Sequence, residues 1–190
     1  MDKKSALVAV PNILTGFRFA LIPVLIVLFL VEQSRTVEML TFIVFIMAAA
    51  SDFVDGWVAR RYHIETVFGK LMDPLADKVL VATALIMLIP LGKIAAWVSL
   101  LIISREIIVT GLRGLAATTG KLVPPGSIGK LKSNFQYFGL GFLIFPLGVL
   151  PVPYQYRIGT VLIYISLVLA LWSAAIYAYR LRTVFLETSR

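Results

Sequence analysis

The stretch Tyr156-Arg-Ile-Gly-Thr-Val-Leu-Ile-Tyr-Ile-Ser-Leu-Val-Leu-Ala-Leu-Trp-Ser-Ala-Ala-Ile-Tyr-Ala-Tyr-Arg180 decides the fold. No residue between Ile158 and Tyr179 is charged. About 20 predominantly apolar residues suffice for a helix to cross the hydrocarbon core of a bilayer. Five earlier stretches are of similar character, at 13–31, 37–58, 74–91, 94–117 and 134–151. Across all 190 residues 59% are hydrophobic and 15% charged, against roughly a quarter charged in a soluble domain. The reading is an all-α integral membrane protein of six transmembrane helices, forming one domain over residues 1–190. Residues 3–16 read either as a short interfacial helix, with Lys3 and Lys4 at the headgroups, or as a frayed terminus.

Composition also excludes chemistries. The chain has no cysteine, so disulfides, thiolate nucleophiles and zinc–thiolate sites are out. Its one histidine, His63, would have to serve alone in any Ser-His-Asp system. The formal charge of +8 could mean nucleic acid or anionic lipid, but membrane orientation explains it more simply, and no nucleic-acid partner is expected. Arg35, Lys93 and Arg157 lie in the turns on one side. The other 15 of the 18 Lys and Arg residues lie on the opposite side. The positive-inside rule makes that side cytoplasmic, with both termini. Pro11 and Arg18 interrupt the first segment, so it does not read as a cleaved signal.

Against this apolar background four aspartates stand out. They fall in Ser51-Asp-Phe-Val-Asp-Gly-Trp-Val-Ala-Arg60 and Gly69-Lys-Leu-Met-Asp-Pro-Leu-Ala-Asp77. Carboxylates at membrane depth are expensive and point to function. Asp52 and Asp55 are three apart and Asp73 and Asp77 four apart, so each pair shares a helical face. Four converging carboxylates repel unless cations hold them together. Hard oxygen donors suit Mg²⁺, Mn²⁺ or Ca²⁺, and four of them suffice for two ions, the arrangement that clamps displacement at phosphorus. Simpler readings exist for two of them: Asp73 before Pro74 as a helix N-cap, and Asp55 paired with Arg60 or Arg61. Gly56 and Ala59 leave room for a ligand or for a neighbouring helix. Arg60 could reach a phosphate or anchor at the interface. Thr66 and Gly69 could cradle a phosphate or simply form a loop.

Read together, Asp52 to Asp77 spell D-x2-D-G-x2-A-R-x8-G-x3-D-x3-D without a mismatch, a signature that resembles that of the CDP-alcohol phosphotransferase family. Further segments are similar to the bacterial phosphatidylglycerophosphate synthases within it. These are Pro11-Asn-Ile-Leu-Thr-Gly-Phe-Arg18, Ser104-Arg-Glu-Ile, Thr110-Gly-Leu-Arg113, and Gly129-Lys-Leu-Lys132 with Gln136. The resemblance implies that Asp52, Asp55, Asp73 and Asp77 hold two divalent cations, Mg²⁺ or Mn²⁺. It implies that Asp77 is also the general base, and that Gly56, Arg60 and Thr66, helped by Asn12 and Thr15, contact the CDP portion of CDP-diacylglycerol. Ala59 and Gly69 belong to the same signature. It further implies a homodimer in a bacterial cytoplasmic membrane, with a polar cavity facing the cytoplasm.

The acceptor must be read elsewhere. Arg105, Arg113, Lys130 and Lys132 cluster near the cytoplasmic ends of the fourth and fifth segments. Arg105 lies about ten residues inside its segment and needs a partner. Glu106 is a poor one, because adjacent helical residues do not face each other. A bound phosphate fits better, which favours glycerol 3-phosphate over serine or choline. Inositol phosphate fits nearly as well, and phosphatidylglycerol is a further same-family alternative. A transporter coupled to divalent cations or protons is the rival from another class. It expects carboxylates at mid-membrane and paired broken helices.

Overall fold

The computed structural model describes residues 3–62, 67–118, 127–149 and 154–188, with side chains at 16–51, 72, 75–116, 129, 131–149 and 154–179. Among them the chain forms six α-helices and no strand: α1 Lys3–Leu30, α2 Arg35–Tyr62, α3 Val67–Met87, α4 Ala96–Thr118, α5 Ser127–Ile144 and α6 Gln155–Thr188. They correspond one to one with the six apolar stretches, but several extend further. α1 is continuous from Lys3, so residues 3–16 belong to the first long helix and do not form a separate one. α3 begins at Val67, which places Asp73 and Pro74 inside the helix. The N-cap reading of Asp73 therefore falls. Instead, Pro74 withholds one i→i−4 hydrogen bond in mid-helix.

Helix ends are closed by side chains and glycine. Ser34 Oγ accepts from Val37 N at 3.3 Å, an N-cap for α2. Gln33 Nε2 donates to the carbonyls of Leu28 and Phe29 at 3.1 and 3.2 Å, covering the last turn of α1. After α3, Gly92 takes φ +67. Lys93 N bonds Leu88 O at 3.1 Å and Gly92 N bonds Ile89 O at 2.9 Å. That pair of bonds around a left-handed residue is a Schellman stop. Lys93 then pairs with Glu38 at 2.7 Å and lies over the Tyr156 ring. One lysine thus joins the start of α2, the α3–α4 turn and the start of α6.

The helices pack around Leu25, Phe45, Leu80, Leu85, Ile102, Leu140 and Ile163. α3 touches α1, α2, α4 and α5. Arg18 on α1 is fully buried, and its Nε donates to Ser51 Oγ on α2 at 3.1 Å. This bond ties α1 to α2 at the residue just before Asp52. α5 and α6 cross where Gly139 faces Gly159. A Cβ at Gly159 would meet Leu143 Cγ at 2.9 Å and Gly139 O at 3.1 Å. Gln155 Nε2 donates to Phe142 O at 3.1 Å and Phe145 O at 2.7 Å, fastening the end of α5 to the start of α6.

Large apolar side chains are also exposed on every helix, including Val27, Met47, Ile86, Ile107, Phe138 and Val168. Among the described residues one helix segment, Gln155–Tyr179, is long and apolar enough to cross a membrane. Gly16–Leu30 is a shorter apolar stretch.

The glycine crossing yields a test. Gly159→Ala should destabilise the protein by about 1–3 kcal/mol, because a backbone oxygen cannot move aside as a side chain could. Gly114→Ala, with nothing within 4 Å of the new methyl, should be neutral or stabilise by up to about 1 kcal/mol. Thermal midpoints in detergent compare the two.

Candidate functional site

A cavity of about 490 Å³ opens between α3, α4 and α5. Its lining is largely apolar, with Leu75, Val81, Leu85, Ile102 and Ile103, but Asp77, Lys78, Glu106, Lys132, Gln136 and Tyr137 also reach it. α5 contributes Lys132, Ser133, Gln136 and Tyr137, spaced so that they share one helical face. That face turns the polar start of α5 toward α3 and α4.

Asp77 is half-buried, and its Oδ1 accepts a hydrogen bond from the Tyr137 hydroxyl. The bond holds the carboxylate's orientation from a helix 60 residues away in sequence. Outer-shell hydrogen bonds of this kind commonly orient carboxylates that bind metals.

Glu106 is the electrostatic centre. Its Oε1 accepts from Arg105 Nη1 at 2.7 Å and from Lys132 Nζ. Arg105 is 7% exposed and Lys132 5%. Arg105 Nε donates to Ala170 O at 2.9 Å and its Nη2 to Ser173 Oγ, both on α6.

This corrects the expectation that Glu106 is a poor partner for Arg105. Adjacent helical positions do not face each other, yet Arg105 and Glu106 pair. The long arginine side chain lies along α6, and its guanidinium has a nitrogen to spare for the neighbouring carboxylate. Arg105 thus has partners within the protein on both α4 and α6. Arg113, by contrast, is exposed and lies over the Tyr177 ring at 5.6 Å.

The structure places the remaining expected residues as follows. Asp52, Asp55, Gly56, Ala59 and Arg60 lie on α2, Gly69 and Asp73 on α3, Asn12 and Thr15 on α1, and Lys130 on α5. Their side chains lie outside the described ones, and Thr66 lies outside the described residues altogether. The backbones of α1, α2 and α3 pack on one another. Among the described residues no group of three or more His, Cys, Asp or Glu forms a metal-binding cluster, and Asp77 is the one aspartate of the four whose side chain is described.

Two contributors escaped the sequence. Tyr137 reads as one more aromatic in an apolar helix; its position one residue after Gln136 and five after Lys132 was the available signal. Glu106 reads from the sequence as a poor partner for Arg105, although a carboxylate amid Arg105, Arg113, Lys130 and Lys132 has few other reasons to be there.

The comparisons with known proteins fit this geometry. The family model described as CDP-alcohol phosphatidyltransferase matches residues 8–172, and the chain belongs to that family. A protein of Rickettsia typhi is 36% identical over 92% of this chain and 98% of its own length. One of Salmonella choleraesuis is 38% identical over 88% and 92%, and one of Bacillus subtilis 39% identical over 70% and 75%. Each of the three is named CDP-diacylglycerol–glycerol-3-phosphate 3-phosphatidyltransferase.

The charge network has a measurable signature. Glu106→Gln leaves two buried cations without their counter-charge and should lower stability by about 3–5 kcal/mol. Lys132→Met added to it should recover part of the loss. A double-mutant cycle on denaturation midpoints should give a coupling of at least ~1 kcal/mol between the two positions.

Proposed function

We propose that this chain transfers a phosphatidyl group from CDP-diacylglycerol to sn-glycerol 3-phosphate, giving phosphatidylglycerophosphate and CMP in phospholipid biosynthesis. The observation that carries the reading is the Asp77 carboxylate, held by Tyr137 at a cavity that also takes in the Lys132 ammonium. Within an unbroken aspartate signature, that cavity offers a base and a phosphate-binding cation to one small substrate. The names of the three relatives agree.

Asp77 takes the proton from the primary hydroxyl of the acceptor. That oxygen bonds to the phosphorus bearing the diacylglycerol, and the bond from this phosphorus to the CMP oxygen breaks. CMP leaves with the bonding pair. General-base assistance of this kind contributes about 10²–10⁴-fold. No covalent intermediate is needed, in keeping with a chain that lacks cysteine. Asn12, Thr15, Gly56, Ala59, Arg60, Thr66 and Gly69 would receive the CDP portion. Arg105, Arg113, Lys130 and Lys132 would face the acceptor phosphate, with Arg105 also fixing Glu106.

Asp52, Asp55, Asp73 and Asp77 would hold two divalent cations, Mg²⁺ or Mn²⁺. When bound, these supply Lewis-acid polarisation of the diphosphate and charge neutralisation on the departing CMP. The donor chemistry fits: hard carboxylate oxygens on two packed helices, with Asp77 already oriented by an outer hydrogen bond.

The six helices would all span a bacterial cytoplasmic membrane, with termini and cavity on the cytoplasmic side and the lipid substrate arriving from the bilayer. Two observations support this: apolar side chains are exposed on every helix, and Lys and Arg are concentrated at one end. A homodimer belongs to the same reading.

Purified protein given both substrates and Mg²⁺ should release CMP and form a phosphorylated lipid, and should stop on chelation. Asp77→Asn should lower the rate at least ~10²-fold. Release at the parent rate would remove Asp77 as the base. Topology is testable because the chain has no cysteine. In intact cells, Glu32→Cys should react with an impermeant maleimide, and Ser189→Cys only after lysis.

A further inference from the structure

Among the described residues three buried polar atoms have no hydrogen-bond partner: Gln136 Nε2, Gln155 Oε1 and Ser166 Oγ. Gln136 is the one of the three that lines the cavity, and it is 3% exposed. Buried polar groups are almost always paired, and an unpaired one bears the full loss of its hydration. An amide left open inside a cavity, beside residues already assigned to a substrate, is a donor awaiting an acceptor from that substrate.

The neighbours of Gln136 identify the acceptor atom. Lys132 stands one helical turn before it on the same face of α5, about 6 Å along the axis. Tyr137, the next residue, holds Asp77. The order along α5 is therefore ammonium, amide, then the tyrosine that holds the carboxylate. A three-carbon phosphorylated polyol presents its groups in the same order: phosphate, secondary hydroxyl, then the reacting primary hydroxyl. We propose that Gln136 is a specificity-determining residue whose side-chain amide binds the non-reacting secondary hydroxyl of the acceptor. The inference rests on the acceptor reading above and adds the group that distinguishes glycerol 3-phosphate from a plain hydroxyalkyl phosphate.

A site built to hydrogen-bond a hydroxyl rejects analogues that lack it, because its own polar group is left unpaired. The test compares sn-glycerol 3-phosphate with 3-hydroxypropyl phosphate, which keeps the phosphate and the primary hydroxyl and lacks the secondary one. The parent enzyme should prefer glycerol 3-phosphate in kcat/KM. Gln136→Met, close in shape and without the amide, should lose about 10–100-fold on glycerol 3-phosphate and no more than about threefold on the analogue. Gln136→Asn, which withdraws the amide by one methylene, should shift the ratio in the same direction and serves if the Met variant does not fold. The inference is overturned if the parent shows no preference. It is also overturned if the variants keep the parent's ratio, whether by losing both activities equally or by losing neither. If the parent forms no lipid product from glycerol 3-phosphate at all, the acceptor reading itself has failed.

Discussion

The Glu106 carboxylate is the interaction on which the site depends. Through one oxygen it binds Arg105 and Lys132, two cations that are each more than nine-tenths buried. Buried charges are tolerated only when paired and hydrogen-bonded, because desolvating each one costs several kcal/mol. Arg105 meets the rest of its demand on α6, at Ala170 and Ser173. Glu106 reaches α5 at Lys132. Two adjacent residues of α4 thus fasten it to both α5 and α6.

This fastening sets the register of α5, and the register sets the chemistry. With Lys132 held at Glu106, the same face of α5 carries Gln136 and Tyr137 into the cavity. Tyr137 then reaches Asp77 on α3. A polar path runs from Ser173 on α6 through α4 and α5 to the carboxylate proposed as base. The apolar contacts give it a rigid frame. The Gly139–Gly159 crossing brings α5 and α6 close enough for backbone oxygens to limit the approach, and Gln155 ties their ends.

The cavity also shows how a bundle with an apolar exterior can handle a charged substrate. Cations and carboxylates alternate around it: Lys78 beside Asp77, Lys132 on Glu106. Each pairing offsets a charge that the cavity places among apolar helices.

The number and order of helices were determined by the sequence alone, because each apolar run is long enough to form a helix. Gly92 is a clear case: a glycine after an apolar run is the residue a left-handed helix stop requires. The family was equally readable, since eight fixed positions from Asp52 to Asp77 do not depend on knowing the fold. Partnerships across helices were decided only by tertiary structure. Arg105 and Glu106 pair despite being neighbours in sequence, because α6 holds the arginine where its guanidinium can reach back. Tyr137 meets Asp77 across 60 residues, a contact that helical periodicity within either segment could not reveal. Spacing fixes which residues share a face; only packing fixes what that face meets.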